Sequence, residues 1–143
     1  MALVALITTM PVFFSMVVDG VARTAAIGEL AEIADYTSNT LANLNYLANS
    51  TNQADLNLTK QLLYLPLTVQ DSFYTLRIVS DGANASKLTA ALRDNPSISA
   101  DSWLAPGFKV GESSFVEVSG RAIFGGCYRN ATGSYVWLGD GQS

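Results

Sequence analysis

The chain opens on MALVALITTMPVFFSMVV, eighteen residues without a charged side chain, and the first charge is Asp19. As one helix this run would be about 27 Å long, close to the thickness of a bilayer core. Pro11 lies in its middle. An interior proline costs a helix in water roughly 3 kcal/mol, whereas lipid or a protein-packed setting tolerates the kink better. Thr8, Thr9 and Ser15 can return hydroxyl bonds to local carbonyls. From Asp19 to Asn49 there is no proline, and Ala22, Ala26, Leu30, Ile33, Thr37, Leu41, Leu44 and Ala48 follow one another at spacings of four, four, three, four, four, three and four. That is one helical stripe with a near-heptad repeat. Glu29, Glu32 and Asp35 lie off it, and Asn49-Ser-Thr-Asn ends the pattern with turn-forming residues. A helix over 1–48 would be about 72 Å long, against a diameter on the order of 30 Å for a globule of the remaining chain. The front half of such a rod is expected to project.

From Lys60 the period changes to two. Leu63, Leu65, Leu67 and Val69 alternate in one strand, Gln70-Asp71-Ser72 forms a turn, and Tyr74, Leu76 and Ile78 share one face of a second strand closed by Asp81-Gly82. Pro66 marks the first of these as an edge strand or a bulge. The segment 87–94 fits a short helix or a strand, and 97–108 reads as a loop with a short strand. A long strand over 114–129 is expected to bend at Gly120 and at Gly125-Gly126. The turn 130–133 leads to a last strand over 134–139, and Trp103, Phe115, Phe124 and Trp137 are core candidates. The fold class predicted is α+β. A long hydrophobic and then amphipathic N-terminal helix (1–49) precedes a linker (50–59) and a small, sandwich-like antiparallel β domain of five to seven strands (60–143).

Composition narrows the function. Charged residues make up 14% of the 143, well below the roughly 25% of an ordinary soluble domain, so the chain is expected to hide apolar surface in lipid or in a partner. The net charge of −4 argues against nucleic acid. There is no histidine, which removes the commonest general base and metal ligand. The lone Cys127 can form no intrachain disulfide and reads as a small buried apolar residue beside Phe124 and Tyr128. Two acidic pairs, Asp94 with Asp101 and Glu112 with Glu117, are the nearest approach to an acid–base couple. Each reads more simply as solvated carboxylates, because no nucleophile elbow, phosphate loop or metal spacing accompanies them. No enzyme, cofactor or metal site is expected.

Asn49, Asn57, Asn84 and Asn130 each begin an Asn-x-Ser/Thr sequon. Decoration with N-linked glycans would place the β domain outside the cell. The opening run is not a standard secretory signal, since no basic residue precedes it and no Ala-x-Ala exit follows. Removal of a leader just before Met1 would account for the bare apolar start.

An uncharged N-terminal helix that runs into an alanine-rich amphipathic helix and then a small β domain resembles the archaeal type IV pilin superfamily. The stretch TAAIGELAEIADYTSNTLANLNYLANST is similar to that family's helix-to-domain junction, and LPLTVQDSFYTLRIV to its first β-hairpin. The glutamate that bacterial pilins carry at mature position five is replaced here by Ala5. The resemblance implies a subunit of an extracellular filament on the cell surface, made as a membrane-embedded precursor, and the short apolar start interrupted by Pro11 favours adhesion over swimming. Its implied partners are copies of itself, the membrane transiently, a prepilin peptidase and the assembly machinery. Polymerisation would fall to Leu3, Val4, Leu6, Ile7, Pro11, Phe13, Phe14, Met16, Val17 and Val18. The alternative within the same superfamily is a membrane-anchored archaellum accessory protein of stator type, whose β domain binds the surface layer.

Overall fold

The computed structural model describes the backbone of residues 2–51, 55–82, 84–104, 107–111 and 113–140, and the side chains of these from residue 23 onward. Helix α1 (Ala2–Asn49) comes first. The amide of Ser50 closes it by donating to the carbonyls of Tyr46 and Leu47 at 3.1 and 3.2 Å. The described part of the stripe, Ala26, Leu30, Ile33, Thr37, Leu41, Leu44 and Ala48, is buried throughout. Glu29, Glu32 and Asp35 are exposed. Apolar residues at three- and four-residue spacing make one face of α1, and that face leaves water here by lying on the sheet. The polar members of the buried face are hydrogen-bonded. The hydroxyls of Thr37 and Thr40 donate to the carbonyls four residues earlier, both at 2.9 Å. Ser38 meets Ser102 at 2.8 Å.

The sheet comprises β1 (Leu56–Gln61), β2 (Tyr74–Asp81), β3 (Asn84–Leu92), β4 (Ser99–Trp103), β5 (Phe108–Val110), β6 (Phe115–Val118), β7 (Ile123–Asn130) and β8 (Gly133–Asp140). Strands lie in the order β1-β7-β8-β5-β3-β2-β6, with β4 also paired to β3. All the pairs are antiparallel except β5 with β8. The sheet curls. The amide of Leu138 in β8 donates to Ser113 at 2.9 Å, and that of Ile78 in β2 to Ser114 at 2.8 Å, so the approach to β6 ties two distant strands together. Helix α1 fills the concave side. Ala26, Leu30, Ile33 and Leu41 join Tyr74, Leu76, Leu88, Phe108 and Leu138 in one core cluster. Leu44 and Ala48 form a smaller one with Cys127.

Several expectations are overturned. The β part is not a small sandwich. It is one large eight-stranded, mostly antiparallel sheet wrapped on the helix. A single sheet suffices because the stripe on α1 supplies the apolar face that a second sheet would otherwise provide. From residue 23 onward, where side chains are described, no helix is long and apolar enough to cross a membrane, so the membrane-length apolar helix of the predicted fold class has no counterpart there. The hairpin between 61–69 and 73–79 does not form. Residues 62–68 are irregular, and Gln70 and Asp71, both at positive φ, turn the chain over a lone bridge between Val69 and Ser72. Strand β2 has β3 on one side and β6 on the other, so it offers no edge to the leucine run. Pro66 has no amide with which to compete.

The expected long strand over 114–129 is two strands, β6 and β7, broken near Gly120 at a φ of 105°. Gly125 and Gly126 are not a bend. Both lie in the unbroken ladders of β7 with β1 and β8. Of the four aromatic core candidates, Trp103 is 77% exposed and Phe115 47%, while Phe124 and Trp137 are half-buried. Among the described residues, the buried aromatics are Tyr74 and Phe108. Strand β1 starts at Leu56, within the stretch 50–59.

Candidate functional site

Directly paired residues in a sheet project from the same face, so the register defines the convex face opposite α1. Asn57 pairs with Tyr128, Tyr128 with Tyr135, Tyr135 with Lys109, and Lys109 with Asn84. These five residues make a single cross-strand row over β1, β7, β8, β5 and β3. At its centre the rings of Tyr128 and Tyr135 stack with centroids 4.7 Å apart and planes 10° apart. The ammonium of Lys109 lies 5.8 Å from the Tyr135 centroid and donates to the carbonyl of Thr132 at 2.8 Å. One row along, the Trp137 indole lies over Gly126. This aromatic face was not singled out from the sequence. The alternation Tyr128-Arg129-Asn130 and Tyr135-Val136-Trp137 carries it, once the face on which the even positions of β7 project is known.

The sequon asparagines gather at one end of the molecule. Asn57 and Asn84 end the row just described. Asn130 closes β7 on the same face, two residues past Tyr128. Asn49 is the last residue of α1, and the Arg129 guanidinium ties that helix end to β7 by donating to the Thr51 carbonyl at 2.9 Å. All four asparagines are exposed. The opposite end of the sheet faces the earlier turns of α1, where Gln70 donates to Glu29 at 3.3 Å.

A second surface lies between α1 and the irregular 62–68 segment. A groove of about 540 Å³ is lined there by Glu29, Glu32, Tyr36, Tyr64 and Pro66 among others. Tyr36 and Tyr64 meet edge to face at 5.8 Å. Tyr64 is exposed, as are Leu63 and Leu67 of the same segment.

Asp94 and Asp101, weighed as one acid–base pair, are held by different partners, while Asp94 and Glu117 share the Arg93 guanidinium. Asp94 pairs with Arg93 at 3.2 Å. Asp101 accepts from Thr89 at 2.6 Å and pairs with Lys87 at 3.1 Å. The Thr89 bond, followed by Lys87, holds the Asp101 carboxyl below the usual carboxylate range. Glu117 accepts from Arg93 at 2.9 Å, and Glu112 lies outside the described residues. The Asp101 arrangement stabilises the charged carboxylate, the opposite of what a general acid needs. Cys127 is fully buried, and burial pushes its thiol up, with the charge of Arg129 opposing. Among the described residues no three His, Cys, Asp or Glu side chains converge as a metal-binding group. The side chains proposed for polymerisation (Leu3, Val4, Leu6, Ile7, Pro11, Phe13, Phe14, Met16, Val17 and Val18) and the first stripe position, Ala22, lie outside the described residues. Comparison with family models, curated proteins and solved structures finds no match to this chain.

Proposed function

We propose that the protein is the structural subunit of an extracellular filament of the archaeal type IV pilus kind, polymerising through its N-terminal helix and serving adhesion. One observation carries the reading. The sheet takes up the stripe on α1 from Ala26 to Ala48, while the helix begins at Ala2 and its first part is drawn from eighteen uncharged residues. A helix of that length extends about 72 Å, more than a domain of this size can cover. Its apolar start needs another shelter. Lipid would serve before assembly, and the equivalent helices of neighbouring subunits would serve afterwards. Both environments are apolar, so the exchange rests on close packing between helices rather than on escape from water. Subunits related by a screw axis make heterologous contacts, and such contacts propagate into open filaments. The β domains would then line the outside, with the sequon-bearing end pointing away from the earlier turns of α1.

Negative-stain imaging of the full chain purified from its own cells tests this. Filaments of indefinite length are the expected result. Discrete detergent-bound particles would favour the membrane-anchored accessory protein instead. A chain that stays monomeric without detergent would overturn both.

A further inference from the structure

Asn130-Ala131-Thr132 is exposed and turns the corner between β7 and β8. The side-chain oxygen of Asn130 accepts from the amide of Thr132 at 2.9 Å and from its hydroxyl at 2.5 Å. The same hydroxyl lies 2.7 Å from the Tyr135 phenol. The sequon therefore holds its asparagine amide by the oxygen, with the amide nitrogen at the other end of the group. Tyr128 precedes Asn130 by two residues in the extended β7 and so stands on the same face, roughly 7 Å away. It is half-buried, as is the Tyr135 ring stacked on it.

We propose that Asn130 is an N-glycosylation site and that the Tyr128–Tyr135 pair is the platform on which its first sugar packs. The C–H face of a pyranose carries partial positive charge and the face of a phenol ring partial negative charge, so the two associate with both apolar and electrostatic gain. A sugar on the Asn130 nitrogen starts within reach of that pair. The transfer needs a lipid-linked sugar phosphate or pyrophosphate and its membrane transferase. The Asn130 nitrogen attacks the anomeric carbon, a C–N bond forms, the bond from that carbon to the phosphate oxygen breaks, the lipid phosphate leaves with the electron pair, and the amide proton passes to a base of the transferase. Asn130 is the best placed of the four sequons because its acceptor, spacer and threonine all lie on a hairpin tip. Asn57 is inside β1, Asn84 opens β3 and Asn49 ends α1. The proposal does not depend on filament formation. It requires only that this face of the sheet reach the compartment of the transferase.

Peptide mass mapping of the full chain from its own cells is expected to find a sugar on the peptide that contains Asn130. T132A should abolish it and T132S retain it. An unmodified peptide in the wild-type chain, or a sugar that survives T132A, overturns the site. The platform is read by thermal unfolding. N130Q, which cannot take the sugar, is expected to lower Tm by roughly 4 °C in the wild-type background and by much less in a Y128L background, with Y135L as the second variant should Y128L fail to fold. Equal losses in the two backgrounds would overturn the platform.

Discussion

The indole of Trp137 lies against Gly126, its directly opposed partner across β7 and β8, in the space that a Cβ on Gly126 would take. Glycine here is a matter of close approach rather than of backbone freedom, since Gly126 sits in a regular ladder. G126A must displace the ring, and overpacking of this kind costs about 1–3 kcal/mol. With Trp103 replaced by phenylalanine, the emission of Trp137 should report the displacement directly. An unchanged spectrum and unchanged stability would mean that the ring does not rest there.

Gly125, on the other face of the same strand, has Leu41 of α1 above it, with Cδ2 3.1 Å from where a Cβ would stand. Leu41 is fully buried, whereas Leu47 on the same helix is 55% exposed. L41A is therefore expected to cost about 2–5 kcal/mol. L47A should stay within about 0.5 kcal/mol of the wild type. Urea midpoints of the two variants, measured side by side, check the seating of the helix.

The Tyr74 phenol donates to the Pro66 carbonyl at 2.6 Å, and burial pushes its pKa well above the ordinary value of 10.0. The neutral form is thus favoured in the folded chain, while the unfolded phenol ionises near its ordinary pKa. The contribution to stability is complete below about pH 10 and is lost as pH rises beyond it. Y74F should be less stable by about 1 kcal/mol at pH 7, and its denaturant midpoint should fall less steeply than that of the wild type above pH 10.

Asp101 behaves in the opposite sense. Thr89 and then Lys87 lower its pKa in the folded chain. Its contribution is present above the unfolded carboxylate pKa and is lost as pH falls through the folded one. The pair is partly solvent-exposed, so the effect should not exceed about 1 kcal/mol. D101N is expected to flatten the acid limb of the stability profile by that amount, with NMR titration of the Asp101 carboxyl as the direct check.

Cys127 is buried, and its thiol pKa is raised. Alkylation by iodoacetamide at neutral pH should therefore follow global unfolding, with labelling rates that track denaturant concentration. Fast labelling of the native chain would contradict this burial.

The periodic parts of the chain were legible without coordinates. The stripe from Ala26 to Ala48 and the alternation of Tyr74, Leu76 and Ile78 each mark one buried face, because one period fits one backbone geometry. Leu63, Leu65 and Leu67 alternate equally well and form no strand. A strand needs an edge to pair with, and the edges of β2 are taken by β3 and β6. The exposed aromatics show a signal that was available but outweighed by size. Phe115 alternates in step with Glu117, and Trp103 in step with Asp101. Each charged neighbour marks the solvent face, and the bulk of the ring does not change that parity.

The sequence by itself determined a long helix with one apolar face, an uncharged leading segment, several strands and the positions of four sequons, all of which depend on residues near one another along the chain. Tertiary structure alone decided that the strands join in one curled sheet, that β5 runs parallel to β8, and that Asn57, Tyr128, Tyr135, Lys109 and Asn84 stand in one row. Those outcomes depend on register between strands up to tens of residues apart, and a slip of one residue would turn each side chain to the other face.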